Sequence, residues 1–215
     1  MKDFFSIDGL FYAVMSKVAD LLFIAVLWII GCLPVVTVLT STASMYYVVV
    51  KCIRFDCGRV WPEFWEVYRN NLRQGIELTM LYGCIGAAIG FFDYQAFVLS
   101  ANQPGIFSPF AIVALLMSLV YILNALWIAL VFSRFSNTFG NLIKLNYVIA
   151  MKNFIRSIPM LLPVAVAILL IIMFHEMVFI LPPLVLLIQS FLAEPALRQY
   201  MPKREEENED WRYGF

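Results

Sequence analysis

Two long windows of this chain contain no lysine or arginine: Gln74 to Ser133, and Ser157 to Leu197. Each has room for two apolar helical spans, which need about 20 residues apiece to cross a hydrocarbon layer about 30 Å thick. A third apolar region, Val18 to Val50, is too long for one upright span and slightly short for two. Hydrophobic residues make up 62% of the 215 and charged residues 14%, whereas soluble domains average about 45–50% apolar. So little charge marks an integral membrane protein, and nothing in a net charge of zero points to nucleic acid as a partner. The fold class that follows is all-α: a polytopic transmembrane helical bundle of about six spans, with amphipathic helices at the membrane surface.

The spans fall near 18–33, 35–50, 76–99, 108–132, 158–174 and 177–192, in one transmembrane domain covering 1–200. Pro34 splits the first apolar region, because proline removes a backbone donor and clashes with the preceding turn. The small hydroxyl residues after it (Thr37, Thr40, Ser41, Thr42, Ser44) favour close helix approach. A tight hairpin is the preferred arrangement, with a kinked or re-entrant segment as the rival. In the last apolar region His175-Glu176 form a polar corner, and Pro182-Pro183 are expected to kink the sixth span. The N-terminus carries Asp3 and Asp8 where a secretory signal needs positive charge, and reads instead as a short amphipathic helix through Phe4, Phe11, Met15 and Val18. The tail, 201–215, holds Lys203-Arg204 and then an acidic run, a composition expected to stay disordered.

Basic stretches lie between the apolar regions. Lys51 to Gln74 holds five of the 15 lysines and arginines. Within it Trp61, Phe64, Trp65, Tyr68 and Leu72 recur at helical spacing, with Glu63, Glu66, Arg69, Asn70 and Arg73 on the other face. Two readings fit: a helix lying flat at the bilayer surface, or a packed connector between transmembrane helices. Arg134 to Arg156 is a second such stretch, carrying Arg134, Lys144, Lys152 and Arg156 and no acid. The positive-inside rule places both stretches in the cytoplasm, with both termini, and leaves very short external links. Together they make a basic collar. Arg59, Trp61, Trp65, Arg69, Arg73, Lys144, Lys152 and Arg156 are its candidate contacts with a partner or with membrane lipids. A short echo between Asn71–Ile76 and Asn153–Ile158 raises a distant duplication of hairpins.

Catalysis has little to work with. The single histidine, His175, stands beside Glu176 without the HExxH spacing of a zinc protease, and no phosphate or dinucleotide loop sits in a suitable context. Four cysteines show no paired metal spacing and read as reduced structural thiols. No enzyme activity, cofactor or metal is therefore expected. Asp20 and Glu77 fall near the cytoplasmic ends of their spans. Asp93 and Asn124 are the candidates for an intramembrane polar site, against the blander reading of an interfacial aspartate and an amide bonded to a neighbouring helix.

Phe154 to Pro163 resembles the end of the coupling loop in ABC-importer permeases, without its Glu-Ala-Ala start and with the spacing to Pro159 one residue short. Gly31 to Thr37, then Ser41 to Tyr47, then Phe64 to Gln74 resemble the YesL-like family of bacterial integral membrane proteins, whose molecular function is unknown. The likeness is strongest over Leu10 to Ile76. It supplies no catalytic or binding residues; only the Pro34–Thr37 break transfers, as a structural motif. Members of that family are often encoded beside oligosaccharide ABC importers, solute-binding proteins and polysaccharide-degrading enzymes. The resemblance thus implies a bacterial cell-membrane location and an accessory, non-enzymatic role in carbohydrate import, with the importer's permease or ATPase as partner. A small independent transporter or channel and a membrane-anchored regulator are the alternatives, with a second copy of the chain as a further partner.

Overall fold

The computed structural model describes residues 10–101 and 109–201, and among these there is no strand. Seven α-helices follow in order: α1 (Leu10–Cys32), α2 (Val38–Val48), α3 (Val60–Ala101), α4 (Pro109–Arg134), α5 (Phe139–Lys152), α6 (Phe154–Met173) and α7 (Leu181–Leu197). The all-α class holds. Five helical segments are long and apolar enough to cross a membrane: Val14–Cys32, Val35–Arg54, Val60–Leu99, Pro109–Arg134 and Phe154–Met173. The sixth expected span is not among them. Its helix, α7, has only 17 residues, and Pro182 and Pro183 begin it rather than kink it. Proline fits there because first-turn amides have no helical partner anyway. The expectations for Phe4 and for the tail beyond Met201 lie outside the described residues.

Pro34 ends the first apolar helix as its chemistry demands. Its backbone is extended (φ −78°, ψ 113°) and caps a short 3₁₀ turn, Val35–Thr37, that leads into α2. The α1–α2 pair is a hairpin. Ser41 Oγ donates to the Trp28 carbonyl (2.9 Å), Thr37 Oγ1 to the Gly31 carbonyl (2.7 Å), and Trp28 Nε1 to Thr42 Oγ1 (3.1 Å). Gly31 permits this closeness: a Cβ there would fall 3.2 Å from both Ser41 Cβ and Tyr68 Cε2. α2 continues as a π-helical turn, Val49–Arg54, and the link to α3 turns through Asp56 (φ 58°) and Gly58 (φ 88°).

The largest departure from expectation is α3, which runs unbroken for 42 residues. At 1.5 Å per residue it is about 63 Å long. Residues 61–74 are therefore not a separate in-plane helix but the first third of a rod. Their apolar stripe is spent on the protein's own core: Phe64 is fully buried, and Trp65 and Tyr68 pack against that cluster. A surface helix needs its apolar face free for the acyl boundary; here most of that face packs as a connector would, with Trp61 at its exposed end. Even at a tilt of about 40° the rod would cover about 48 Å of the membrane normal, so part of it stands outside the hydrocarbon.

Side-chain pairs set the helices in register. α2 runs antiparallel to α3, with Lys51 against Glu63 (2.5 Å) and Thr40 against Gly75. α1 runs parallel to α3: Phe23 stacks on Trp61, and Tyr68 OH donates to the Gly31 carbonyl (3.2 Å). Lys17, two turns into α1, pairs with Asp56, while Arg69 stands level with the end of α1. The first basic stretch thus lies along the bundle axis, with Arg59 just before the rod and Arg73 about 20 Å along it. A collar wholly on one membrane face does not describe it. Nor does the alternating layout, which needs about 30 Å between the α1–α2 tip and the start of the 76–99 span. The structure brings them together: the Leu39 amide donates to Thr79 Oγ1 (3.3 Å).

Beyond Thr79 the rod pairs with antiparallel α4, through Tyr121 OH on the Tyr82 carbonyl (2.9 Å) and Ser118 on Asp93 (2.5 Å). α5 crosses back over α4, and α6 and α7 form a hairpin that packs on α1, α2 and α4. Trp127, fully buried, donates Nε1 to Ser157 Oγ (2.8 Å) and ties α4 to α6. The echo between Asn71–Ile76 and Asn153–Ile158 has no structural counterpart. The first is mid-helix, and the second begins at the break between α5 and α6, where Asn153 leaves helical geometry (ψ 29°).

Candidate docking face and buried ion pair

The outer side of α3 presents a polar and aromatic strip. Pro62 sits in its first turn, where a missing amide costs no helical bond. Phe64, Tyr68 and Leu72 turn inward, so Glu66, Arg69, Asn70 and Arg73 turn out, while Trp61, at the end of the inward stripe, is exposed. Trp61, Pro62, Trp65, Glu66, Arg69 and Asn70 line a shallow surface groove of about 670 Å³. Aromatic contacts fix its shape: Trp61 meets Trp65 edge-on (6.0 Å) and stacks on Phe23 of α1. Phe23, Val26 and Ile30 of α1 are themselves exposed, so an apolar strip runs beside the charged one. Arg73 pairs loosely with Glu77 one turn on (3.6 Å), a surface contact worth a few tenths of a kcal/mol, roughly 0.3–0.5.

The second basic stretch divides. Lys144, Lys152 and Arg156 are exposed; Lys152 lies over the Tyr200 ring (5.8 Å) and Arg156 reaches Asn153 Oδ1 (3.5 Å). The two stretches touch where Gln74 Nε2 donates to the Asn137 carbonyl (2.8 Å). Arg134 belongs to neither surface. It is withdrawn into the core, where its Nε (2.9 Å) and Nη2 (2.6 Å) both donate to Glu194 Oε1, which also accepts from Tyr46 OH (2.8 Å). This cluster joins α2, α4 and α7. Sequence reasoning missed it because its members are 60 and 148 residues apart. The available signal was Glu194 itself, an acid in a window without a cation, which must find a partner from elsewhere in the chain.

Asp93 and Asn124 are not brought together. Asp93 Oδ2 accepts from Ser118, and Asn124 lies six residues further along α4, about 9 Å away. Asn124 Nδ2 donates to the Val120 carbonyl of its own helix (2.9 Å). The two candidates do not converge on one polar site: Asp93 bonds α4 through Ser118, and the Asn124 side chain bonds its own helix. Among the described residues no three of His, Cys, Asp and Glu gather as a metal-binding group, and all four cysteines are free thiols.

Residues 21–94 match a family described as a protein of unknown function, DUF624. The matched segment takes in the second half of α1, all of α2, and α3 as far as Tyr94, including the Phe23–Trp61, Gly31–Tyr68 and Thr40–Gly75 contacts. No curated protein and no solved structure matches the chain. The physical content of the match is therefore the rod and the hairpin packed on it.

Proposed function

We propose that the protein is an accessory, non-enzymatic membrane subunit that docks onto the permease of an oligosaccharide ABC importer through the first third of α3. The observation that carries the reading is the strip itself: Glu66, Arg69 and Asn70 face outward beside the exposed apolar residues of α1. With α1 across the bilayer, Glu66 stands level with its last turns, where an uncovered charge is costly. A partner helix with an apolar flank for α1 and a polar flank for Glu66 and Arg69 would cover both strips. Lipid anchoring is less well supported, since the stripe that would dip into lipid is already packed. The importer as partner comes from the resemblance of Gly31 to Gln74 to the YesL-like family, with its bacterial cell-membrane setting. A solute pathway through the monomer draws less support, because Asp93, Asn124, Arg134 and Glu194 are engaged in helix–helix or intrahelical bonds.

Affinity-tagged protein, extracted from native membranes in mild detergent, should recover an importer permease and with it the ATPase. Glu66→Ala/Arg69→Ala should lose at least four-fifths of that recovery while keeping its own yield, since both side chains are exposed. Recovery of neither subunit by the unaltered protein would remove the proposal.

A further inference from the structure

The exposed cations of the second basic stretch have no acid beside them. Between Asp93 and Glu176 the chain carries no aspartate or glutamate, so α4, α5 and α6 are without one. Lys144 and Lys152 of α5, Arg156 in the first turn of α6, and Arg198 just after α7 are all exposed. The Lys152 ammonium lies over the Tyr200 ring (5.8 Å), which brings the end of α7 to the corner between α5 and α6. Among the described residues none of these four cations makes an ion pair. The one acid of α7, Glu194, is committed to buried Arg134. Like charges grouped in this way hold a positive potential that attracts a run of negative charge.

The chain itself supplies such a run. The described residues end at Met201, next to Tyr200 and so at the same corner. Glu205, Glu206, Glu207, Glu209 and Asp210 follow. Extended chain spans about 3.3–3.6 Å per residue, so Glu205 can stand about 14 Å from Met201 and Asp210 about 30 Å. Lys144 and Lys152, at about 12 Å from each other along α5, fall within that reach.

We infer that the acidic run Glu205–Asp210 lies on the corner formed by Lys144, Lys152, Arg156 and Arg198, as an intramolecular cover. Five negative charges then face four positive ones. Exposed ion pairs are weak singly, but the tether holds the run at an effective concentration in the millimolar range. An anionic lipid or a second chain must displace the run to reach the corner. The cover is independent of the docking strip, which lies on the first third of α3.

The test treats the full chain in mild detergent with a water-soluble carbodiimide, which joins a carboxylate to an amine in contact with it. Mass spectrometry should find the 205–210 run joined to Lys152 or Lys144. The yield should fall at least fivefold between about 50 mM and about 1 M salt, as screening shortens the reach of exposed charges. Arg156→Gln/Arg198→Gln leaves both lysines in place and alters only exposed side chains; it should cut the yield at least threefold. A mixture of isotopically heavy and light protein should give no heavy–light crosslink, and the crosslink should persist in nanodiscs containing phosphatidylglycerol. A run joined only to other lysines, or a yield indifferent to salt and to the arginine pair, overturns the inference. Heavy–light crosslinks would assign the corner to a second copy, and loss of the crosslink in the nanodiscs would assign it to anionic lipid; either result overturns the intramolecular cover.

Discussion

Replacing Arg134 by leucine should destabilise the protein by about 3–5 kcal/mol, the penalty for stranding one member of a buried ion pair. Glu194 is 1% exposed, and its Oε1 takes both guanidinium bonds and the Tyr46 hydroxyl. Without Arg134 that carboxylate keeps one neutral donor and no counter-charge. Glu194→Leu should cost a similar amount by stranding the guanidinium. The informative variant is the double one. Arg134→Leu with Glu194→Leu removes both charges and should recover more than half of the single-variant loss, because a buried pair is worth little against well-packed apolar replacements. Thermal unfolding in detergent, read by loss of the monodisperse peak, measures all three. A double variant as unstable as the singles would mean that the cluster contributes specific packing rather than paired charge.

Gly75→Leu should be the most damaging single change on α3, and the same change at Gly83 or Gly90 close to neutral. A Cβ at Gly75 would lie 2.9 Å from Thr40 Cβ and 3.2 Å from Phe132 Cε1, so it wedges the rod away from α2 and α4 together. Overpacking of that kind costs about 1–3 kcal/mol. Gly83 and Gly90 meet nothing within 4 Å. Alanine at either should stabilise by up to about 1 kcal/mol, since glycine is a poor residue for an exposed helix interior. Unfolding midpoints of the series in one detergent give the comparison. Three equal losses would show that α3 is not seated on α2 at Gly75.

Several parts of the fold were legible in the residues. The hairpin at Pro34 follows from one missing amide and the small hydroxyl residues after it. The four-residue spacing of Phe64, Tyr68 and Leu72 marks a helix and its buried side. What that spacing does not record is the material on the other side of the stripe. Lipid and a neighbouring helix impose the same apolar demand, and only the contacts with Gly31 and Phe23 decide between them. The join at Gly75 was hidden for a related reason. Glycine between a charged segment and an apolar one resembles a breaker, yet here it is a close-packing site for Thr40 inside a continuous helix. The positive-inside rule counts charges along the chain and assumes one surface per stretch. A stretch that runs parallel to α1, from Lys17 to Gly31, violates that assumption. Arg134 was misplaced because its partners, Tyr46 and Glu194, lie on helices whose packing no local pattern encodes.

The proposed docking strip depends on α3 being one straight rod, and a single distance tests that. Spin labels on cysteines introduced at Pro62 and Phe97, with the native thiols replaced, should give an electron–electron distance centred near 52 Å, the rise of 35 helical residues at about 1.5 Å each. A surface helix turning upright at Gly75 would bring the same two positions to about 38 Å. A distribution centred near the longer value is the expected result. One centred near the shorter value would contradict the rod and, with it, the placement of Glu66, Arg69 and Asn70 beside α1.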